Sequence, residues 1–146
     1  VAFIQPLRSE NCVVRYDENK GATRRERWQR VAEEAAKQCG RTMVPTVEPI
    51  RTLKEWLMNF PLEAGLFLLY EREERASLRS WLRGQEGRRY IALVGPEGGF
   101  TPEEAAAAKA AGAVSVTLGP RILRAETAAL AALAAVMYEK GDWGTA

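Results

Sequence analysis

Apolar residues along this chain form short unbroken runs that alternate with stretches in which they recur every third or fourth position. The first run, residues 1–6 (Val-Ala-Phe-Ile-Gln-Pro), predicts a buried strand, and residues 12–16 a short second one. Residues 17–21 are polar and predict a turn. Thr23 and Glu26 have capping-box spacing, so a helix is expected from Thr23. Trp28, Val31, Ala32, Ala35, Ala36 and Cys39 then fall on one face, and Gly40 is the expected left-handed stop. Residues 43–47 predict a short strand that Pro45 confines to an edge or a strand start. Thr52 and Glu55 make a second capping box, for a short helix carrying Leu53, Trp56, Leu57 and Phe60.

The second half has stronger runs. Residues 64–70 are continuously apolar, as suits a strand covered on both faces. Residues 77–83 predict a short helix with Leu78, Trp81 and Leu82 inward, and 84–87 a turn into a strand at 90–94. The turn Gly95-Pro96-Glu97-Gly98-Gly99 follows. Thr101-Pro102-Glu103-Glu104 then starts a helix, with Thr101 as N-cap and Pro102 at the first helical position; Gly112 ends it. A strand at 114–118 runs into a second Gly-Pro turn, 119–127. The last helix is expected from about Thr127, as N-cap, to Lys140. Its stretch 128–137 is apolar on every side and needs partners on more than one face: core on one, a subunit interface on the other. Strands alternating with helices give an α/β class with a mostly parallel sheet.

The 146 residues suffice for one domain with a sizeable core. No apolar run approaches the roughly 18 residues of a membrane span. The chain opens with Val1 inside an apolar run, and a piece of a longer protein is expected. Two cysteines, Cys12 and Cys39, without a Cys-x-x-Cys pair and with no histidine, argue against a metal site or a disulfide framework and fit a reducing cytoplasm. Lack of histidine also removes Ser-His and Cys-His nucleophile pairs. Chemistry here must rest on carboxylates, arginines, backbone groups or a cofactor. Net charge is only +2, but arginines cluster at Arg24, Arg25, Arg27 and Arg30, and again at Arg72, Arg75, Arg79, Arg83, Arg88 and Arg89. Guanidinium forks suit phosphate; interleaved glutamates make solvated helix faces the alternative.

Two strands thus end in Gly-Pro turns, and in an open α/β sheet ligands bind outside the carboxyl ends of strands. The first turn is no phosphate loop, since no Gly-Lys-Ser/Thr follows. It is no dinucleotide fingerprint either, because the spacing differs and Glu97 would repel a pyrophosphate. It suits a ligand without phosphates, read by backbone groups that glycines leave accessible; a strand-to-helix turn with glycines for geometry alone is the alternative. In the second turn Arg121, Arg124, Glu126 and Thr127 lie within seven residues beside Leu123. A solvated loop next to an apolar helix would not need so much ordered charge.

At these residues the chain resembles a known family. Leu-Val-Gly-Pro-Glu-Gly-Gly-Phe-Thr-x-x-Glu (93–104), followed by Leu-Gly-Pro-Arg-Ile-Leu-Arg-Ala-Glu-Thr-Ala (118–128), is similar to the RsmE family. These are ribosomal RNA small subunit methyltransferases that methylate N3 of a uridine in 16S RNA. Residues 6–10, 28–36 and 38–41 with Val44-Pro45 agree, so the resemblance covers nearly all of the chain. It implies a single SPOUT domain over 1–146: a mostly parallel sheet flanked by helices, with a deep C-terminal trefoil knot. Knot and cofactor site fall at about 64–140. The resemblance places S-adenosylmethionine in the knot, held by Leu69-Tyr70-Glu71, by Gly95-Pro96-Glu97-Gly98, and by Leu118, Gly119, Pro120, Ile122, Leu123, Arg124, Glu126, Thr127 and Ala128. Tyr70-Glu71 stands where many relatives have His-Pro, and Ala125 where Thr is frequent. The family's N-terminal PUA-like RNA-binding domain and an opening strand and helix have no counterpart in the sequence.

Methyl transfer from a sulfonium to a ring nitrogen is an in-line displacement that needs donor and acceptor aligned. As N3 loses its proton the base gains negative charge. Arg124 is expected to stabilise that charge, with Glu126 or Glu97 orienting the loop or accepting the proton, and Arg121 as a further catalytic candidate. A loop-fixing salt bridge to Glu126 is the alternative role for Arg124. Arg24, Arg25, Arg72 and Arg75 are candidates for contact with the RNA backbone. The expected partners are 16S RNA within the small subunit and a second copy in a homodimer, with no membrane. A non-catalytic RNA-binding or assembly module, and another SPOUT specificity such as a transfer RNA ribose methylase, are the competing readings.

Overall fold

The computed structural model describes residues 1–12, 18–60, 63–87, 89–141 and 143. Its elements run β1 (Phe3–Ile4), β2 (Leu7–Arg8), α1 (Glu18–Gln38), β3 (Thr46–Val47), β4 (Arg51–Thr52), α2 (Leu53–Leu57), β5 (Gly65–Leu69), α3 (Leu78–Arg83), β6 (Tyr90–Leu93), α4 (Pro102–Ala110), β7 (Val114–Val116) and α5 (Ala125–Lys140). They fall into two compact units: Val1–Arg8 with Cys12–Trp56, and Ser9–Asn11 with Leu57–Ala146.

In the first unit β1 pairs with β3 and β2 with β4, both parallel. α1 packs on β3 through polar side chains. Gln29 Oε1 accepts the Val47 N–H at 2.8 Å, its Nε2 donates to Pro45 O at 3.2 Å, and Arg25 Nε donates to Val47 O at 2.7 Å. These groups take the ladder positions that another strand would fill, so no backbone donor of Val47 is stranded. Ala32 and Ala36 bury against the same side. The packed stripe is therefore Arg25, Gln29, Ala32 and Ala36, and much of the expected apolar face is outside it: Val31 is 62% exposed, and Ala35 and Cys39 are exposed too.

Three more expectations change here. Phe3 and Ile4 are exposed, because α1 covers β3 and leaves β1 at the ladder edge. The helix starts at Glu18, so residues 18–21 are helix and Thr23 is interior. Gly21 inside it costs about 1 kcal/mol, but propagation adds a hydrogen bond per residue once a nucleus exists. The second strand forms at Leu7–Arg8; residues 13–17, with most of the expected strand at 12–16, lie outside the described residues. Pro45 does mark a strand start, and Gly40 ends α1 at φ +70°. The Thr52–Glu55 box forms in both directions, at 3.2 and 2.9 Å, although α2 stops short of Phe60.

The second unit is a parallel sheet of order β6-β5-β7. The apolar run at 64–70 becomes its central strand. Phe67 and Leu69 join Leu78 and Leu82 of α3, Val116 of β7 and Ala132 of α5 in one core cluster. By alternation Leu66 and Leu68 take the other face, and both are buried. Ser77 caps α3 and Thr101 caps α4, the latter with a complete capping box and Pro102 following. α5 begins at Ala125 with Arg124 as N-cap, not at Thr127. Arg124 is the last extended residue (ψ 151°), and Glu126 in the first turn complements the helix dipole.

The segment after β5 brackets β7. Tyr70 N donates to Val116 O at 3.4 Å, whereas Thr117 N donates to Ala76 O at 2.8 Å and Leu78 N to Thr117 O at 3.0 Å. Backbone groups of successive strand residues point to opposite edges. Residues 70–77 therefore begin on one edge of β7 and end on the other.

Candidate functional site

Because β5, β6 and β7 are parallel, their carboxyl ends and the loops that follow converge. There residues 69–71, 73–74, 94–99, 116–126 and 128 line a cavity of about 1140 Å³.

The first glycine turn is shaped by its neighbours. Gly99 N donates to Pro96 O at 2.9 Å. A Cβ on Gly95 would lie 3.2 Å from the ring of buried Phe100, and one on Gly98 3.0 Å from Asn11 Cβ. Gly99 has φ +68°, and its Cβ would stand 2.8 Å from Glu71 Oε1. A side chain would crowd Phe100 at position 95 and Asn11 at 98, the left-handed backbone favours glycine at 99, and the turn lines the cavity with its backbone.

The second turn is built on a threonine. Thr117 Oγ1 donates to Gly119 O at 3.0 Å and accepts Gly119 N at 3.1 Å, which fixes Gly119 at φ +127°. Beyond it the chain is exposed, Ile122 by 81%. Arg124 O accepts the Ala128 N–H at 2.8 Å as the first bond of α5. Among the described residues no ion pair joins Arg124 to Glu126, so the loop-fixing salt bridge is not formed.

The charge of the lining is asymmetric. Five glutamates, Glu71, Glu73, Glu74, Glu97 and Glu126, outnumber two arginines, Arg121 and Arg124, in the lining. Backbone N–H groups of Arg75 and Ala76 donate to Glu73 Oε1 at 3.0 and 3.3 Å and hold its carboxyl below the usual carboxylate range. A wall with that excess of carboxylates favours a cationic ligand and repels phosphate. Tyr70 turns its ring to α4, where Lys109 Nζ sits 5.7 Å from the centroid.

The structure brings together Leu69, Tyr70, Glu71, Gly95, Pro96, Glu97, Gly98, Leu118, Gly119, Pro120, Arg121, Ile122, Leu123, Arg124, Glu126 and Ala128 around one cavity. Thr127 is not in the lining; it lies exposed in the first turn of α5. Arg72 and Arg75 are exposed beside the lining glutamates, with Arg72 Nε 4.0 Å from Glu71 Oε1. Arg24 and Arg25 belong to the other unit, where Arg25 is committed to Val47 O. Arg88 lies outside the described residues. Glu73, Glu74, Gly99 and Thr117 line the cavity unforeseen. The Thr-x-Gly spacing was a legible signal for Thr117. Asn11 carried none, as its contacts are 87 residues away.

Residues 1–137 match the model of the RNA methyltransferase domain family. The ribosomal RNA small subunit methyltransferase E of Bacillus subtilis is 34% identical over 143 residues, covering 94% of this chain and 56% of its own length. That of Synechocystis is 37% identical over 134 residues, 90% of this chain and 43% of its own. A crystal structure of ribosomal RNA small subunit methyltransferase E from Neisseria gonorrhoeae, bound to S-adenosyl methionine, matches with a TM-score of 0.85 at 39% identity, over 98% of this chain and 57% of that one. The chain spans about half the length of the relatives it matches. With the family model matched from its first residue to Met137, the chain belongs to the RNA methyltransferase domain family.

Proposed function

We propose that this chain is the catalytic part of an S-adenosylmethionine-dependent enzyme that methylates N3 of one uridine in 16S ribosomal RNA. The observation that carries the reading is the cavity at the carboxyl ends of β5, β6 and β7, lined by both Gly-Pro turns and by an excess of carboxylates. That lining suits S-adenosylmethionine, which carries a sulfonium and an ammonium but no phosphate. Gly95 and Gly98 offer backbone groups where a side chain would crowd Phe100 or Asn11. Residues 69–71, 95–98 and 118–128 would hold the cofactor, Thr127 through the helix start it belongs to. When bound, the cofactor supplies an electrophilic methyl group.

The chain's own residues do the rest. Arg124 stabilises the negative charge that develops on the base as N3 loses its proton, and no ion pair to Glu126 competes for its guanidinium. Glu126, in the first turn of α5, or Glu97 takes that proton, and Arg121 adds positive charge beside Arg124. Arg24, Arg72 and Arg75 contact RNA phosphates, and Arg25 does so through the guanidinium nitrogens not bonded to Val47 O, with binding that falls steeply as salt rises. A stacked or paired uridine must be flipped out to reach the cavity.

The same reading makes 1–146 one SPOUT domain with its knot and cofactor site within 64–140. Pairing of residues 70–77 with both edges of β7 supports the knot. A homodimer is proposed from α5, which turns Ala128, Ala132, Ala135 and Val136 to the core and leaves Leu130 and Tyr138 about 70% exposed. No described helix is long and apolar enough to cross a membrane, and the proposed place of action is the cytoplasm. Mass spectrometry of 16S RNA from a strain lacking the full-length protein tests the function. Loss of one N3-methyluridine, restored by the wild-type gene, is expected; an unchanged modification pattern would remove the reading in favour of a non-catalytic module.

A further inference from the structure

Ser9, Glu10 and Asn11 are flanked in sequence by the first unit, yet they cluster with the second. Asn11 Nδ2 donates to the carbonyls of both Gly98 and Gly99, each at 3.1 Å. The Glu10 N–H donates to Glu104 Oε1 at 2.9 Å, and the other oxygen of that carboxylate takes the Thr101 N–H at 3.0 Å. One short segment therefore clasps the first glycine turn and the start of α4 together. The fit is close, since a Cβ on Gly98 would stand 3.0 Å from Asn11 Cβ.

The carbonyls of Gly98 and Gly99 belong to successive peptide planes, and one amide group holds both. Two glycines in a row have the widest conformational freedom of any dipeptide. With only the Gly99–Pro96 bond to hold them they would sample more backbone states, and ordering them on binding would cost affinity. Asn11 removes that freedom beforehand. We infer that Asn11 is a positioning residue of the cofactor cavity: it is not among the lining residues, but it sets the backbone of the turn that is. This rests on reading the cavity as an S-adenosylmethionine site. The ordinary alternative is that the clasp only anchors residues 9–11.

The test compares wild type with Asn11→Asp, which keeps the shape but turns a donor into an acceptor facing two carbonyls, and with Asn11→Ala. Calorimetric titration with S-adenosylmethionine is expected to show affinity lower by at least about fivefold in both variants, the value of two exposed hydrogen bonds. The melting midpoint without ligand should fall by only a few degrees, because the same two bonds also hold the free protein. In the full-length enzyme the KM for cofactor should rise while kcat changes less than about twofold, the pattern of lost uniform binding. Asn11→Ser, with one hydroxyl donor, is the milder variant should the others not fold, and is expected to lose affinity by a smaller factor. A lowered melting midpoint with unchanged cofactor affinity would overturn the positioning role alone. Failure of the wild type itself to bind would overturn the cavity reading and this inference with it.

Discussion

Gly99→Ala separates backbone strain from a role in the cavity. At φ +68° an alanine costs about 1–2 kcal/mol for the left-handed backbone alone. Its Cβ would also stand 2.8 Å from Glu71 Oε1, so the carboxylate must swing away from the turn. Gly112 offers a matched control, because it has φ +97° and nothing within 4 Å of its would-be Cβ. Both variants should therefore lose about 3–6 °C of melting midpoint for a chain of this size. Only Gly99→Ala displaces a lining carboxylate, and a partly exposed charge facing a cation is worth about 0.2–1 kcal/mol. Affinity for S-adenosylmethionine should accordingly fall about two- to fivefold in Gly99→Ala and not in Gly112→Ala. The Gly99→Ala and Glu71→Ala pair should be less than additive in stability, since removing Glu71 removes the collision. Scanning fluorimetry gives the midpoints and calorimetry the affinities. Equal cofactor affinity in Gly99→Ala and Gly112→Ala would mean that the Glu71 carboxylate takes no part in binding.

Arg124→Ala should lower methyl transfer to 16S RNA by the full-length protein at least about a hundredfold, with cofactor affinity within a few-fold; activity that survives would remove the assigned role. Arg83 Nε meets Glu139 Oε1 at 2.6 Å between α3 and α5 and holds that carboxyl below its ordinary range. The pair's stabilisation is thus complete above the ordinary carboxylate range and lost as pH falls through the depressed value. Wild type should melt above Glu139→Gln at neutral pH, with the gap closing in acid; a gap independent of pH would contradict the pairing. Leu130→Glu, on the exposed face of α5, should shift sedimentation to a monomer and lower the melting midpoint only by what dimerisation contributes. A wild type that already sediments as a monomer would remove the dimer.

The second unit was the more legible one in sequence. Its strands are buried on both faces, so the run from Ala64 to Tyr70 reads directly as β5, and Thr101-Pro102-Glu103-Glu104 reads as the start of α4. In the first unit periodicity misled, because α1 packs through Arg25 and Gln29, which bond strand backbone instead of filling a core. Apolar spacing marks Ala32 and Ala36 of that stripe but not Arg25 and Gln29. Both Gly-Pro turns were visible as ligand-binding candidates, since glycine placement is local chemistry. The convergence of 69–71 with them depends on strand order, and the Asn11 clasp on a contact spanning most of the chain. Neither leaves a local pattern.

The proposed function stands or falls on whether the cavity at the ends of β5, β6 and β7 takes a cationic, phosphate-free cofactor. Calorimetric titration of the chain with S-adenosylmethionine, with ATP as the phosphate-bearing comparison, tests it most directly. Saturable binding of one S-adenosylmethionine per chain, with no competition from ATP, is the predicted result. No binding of S-adenosylmethionine, or its displacement by ATP, would mean that the cavity serves another ligand.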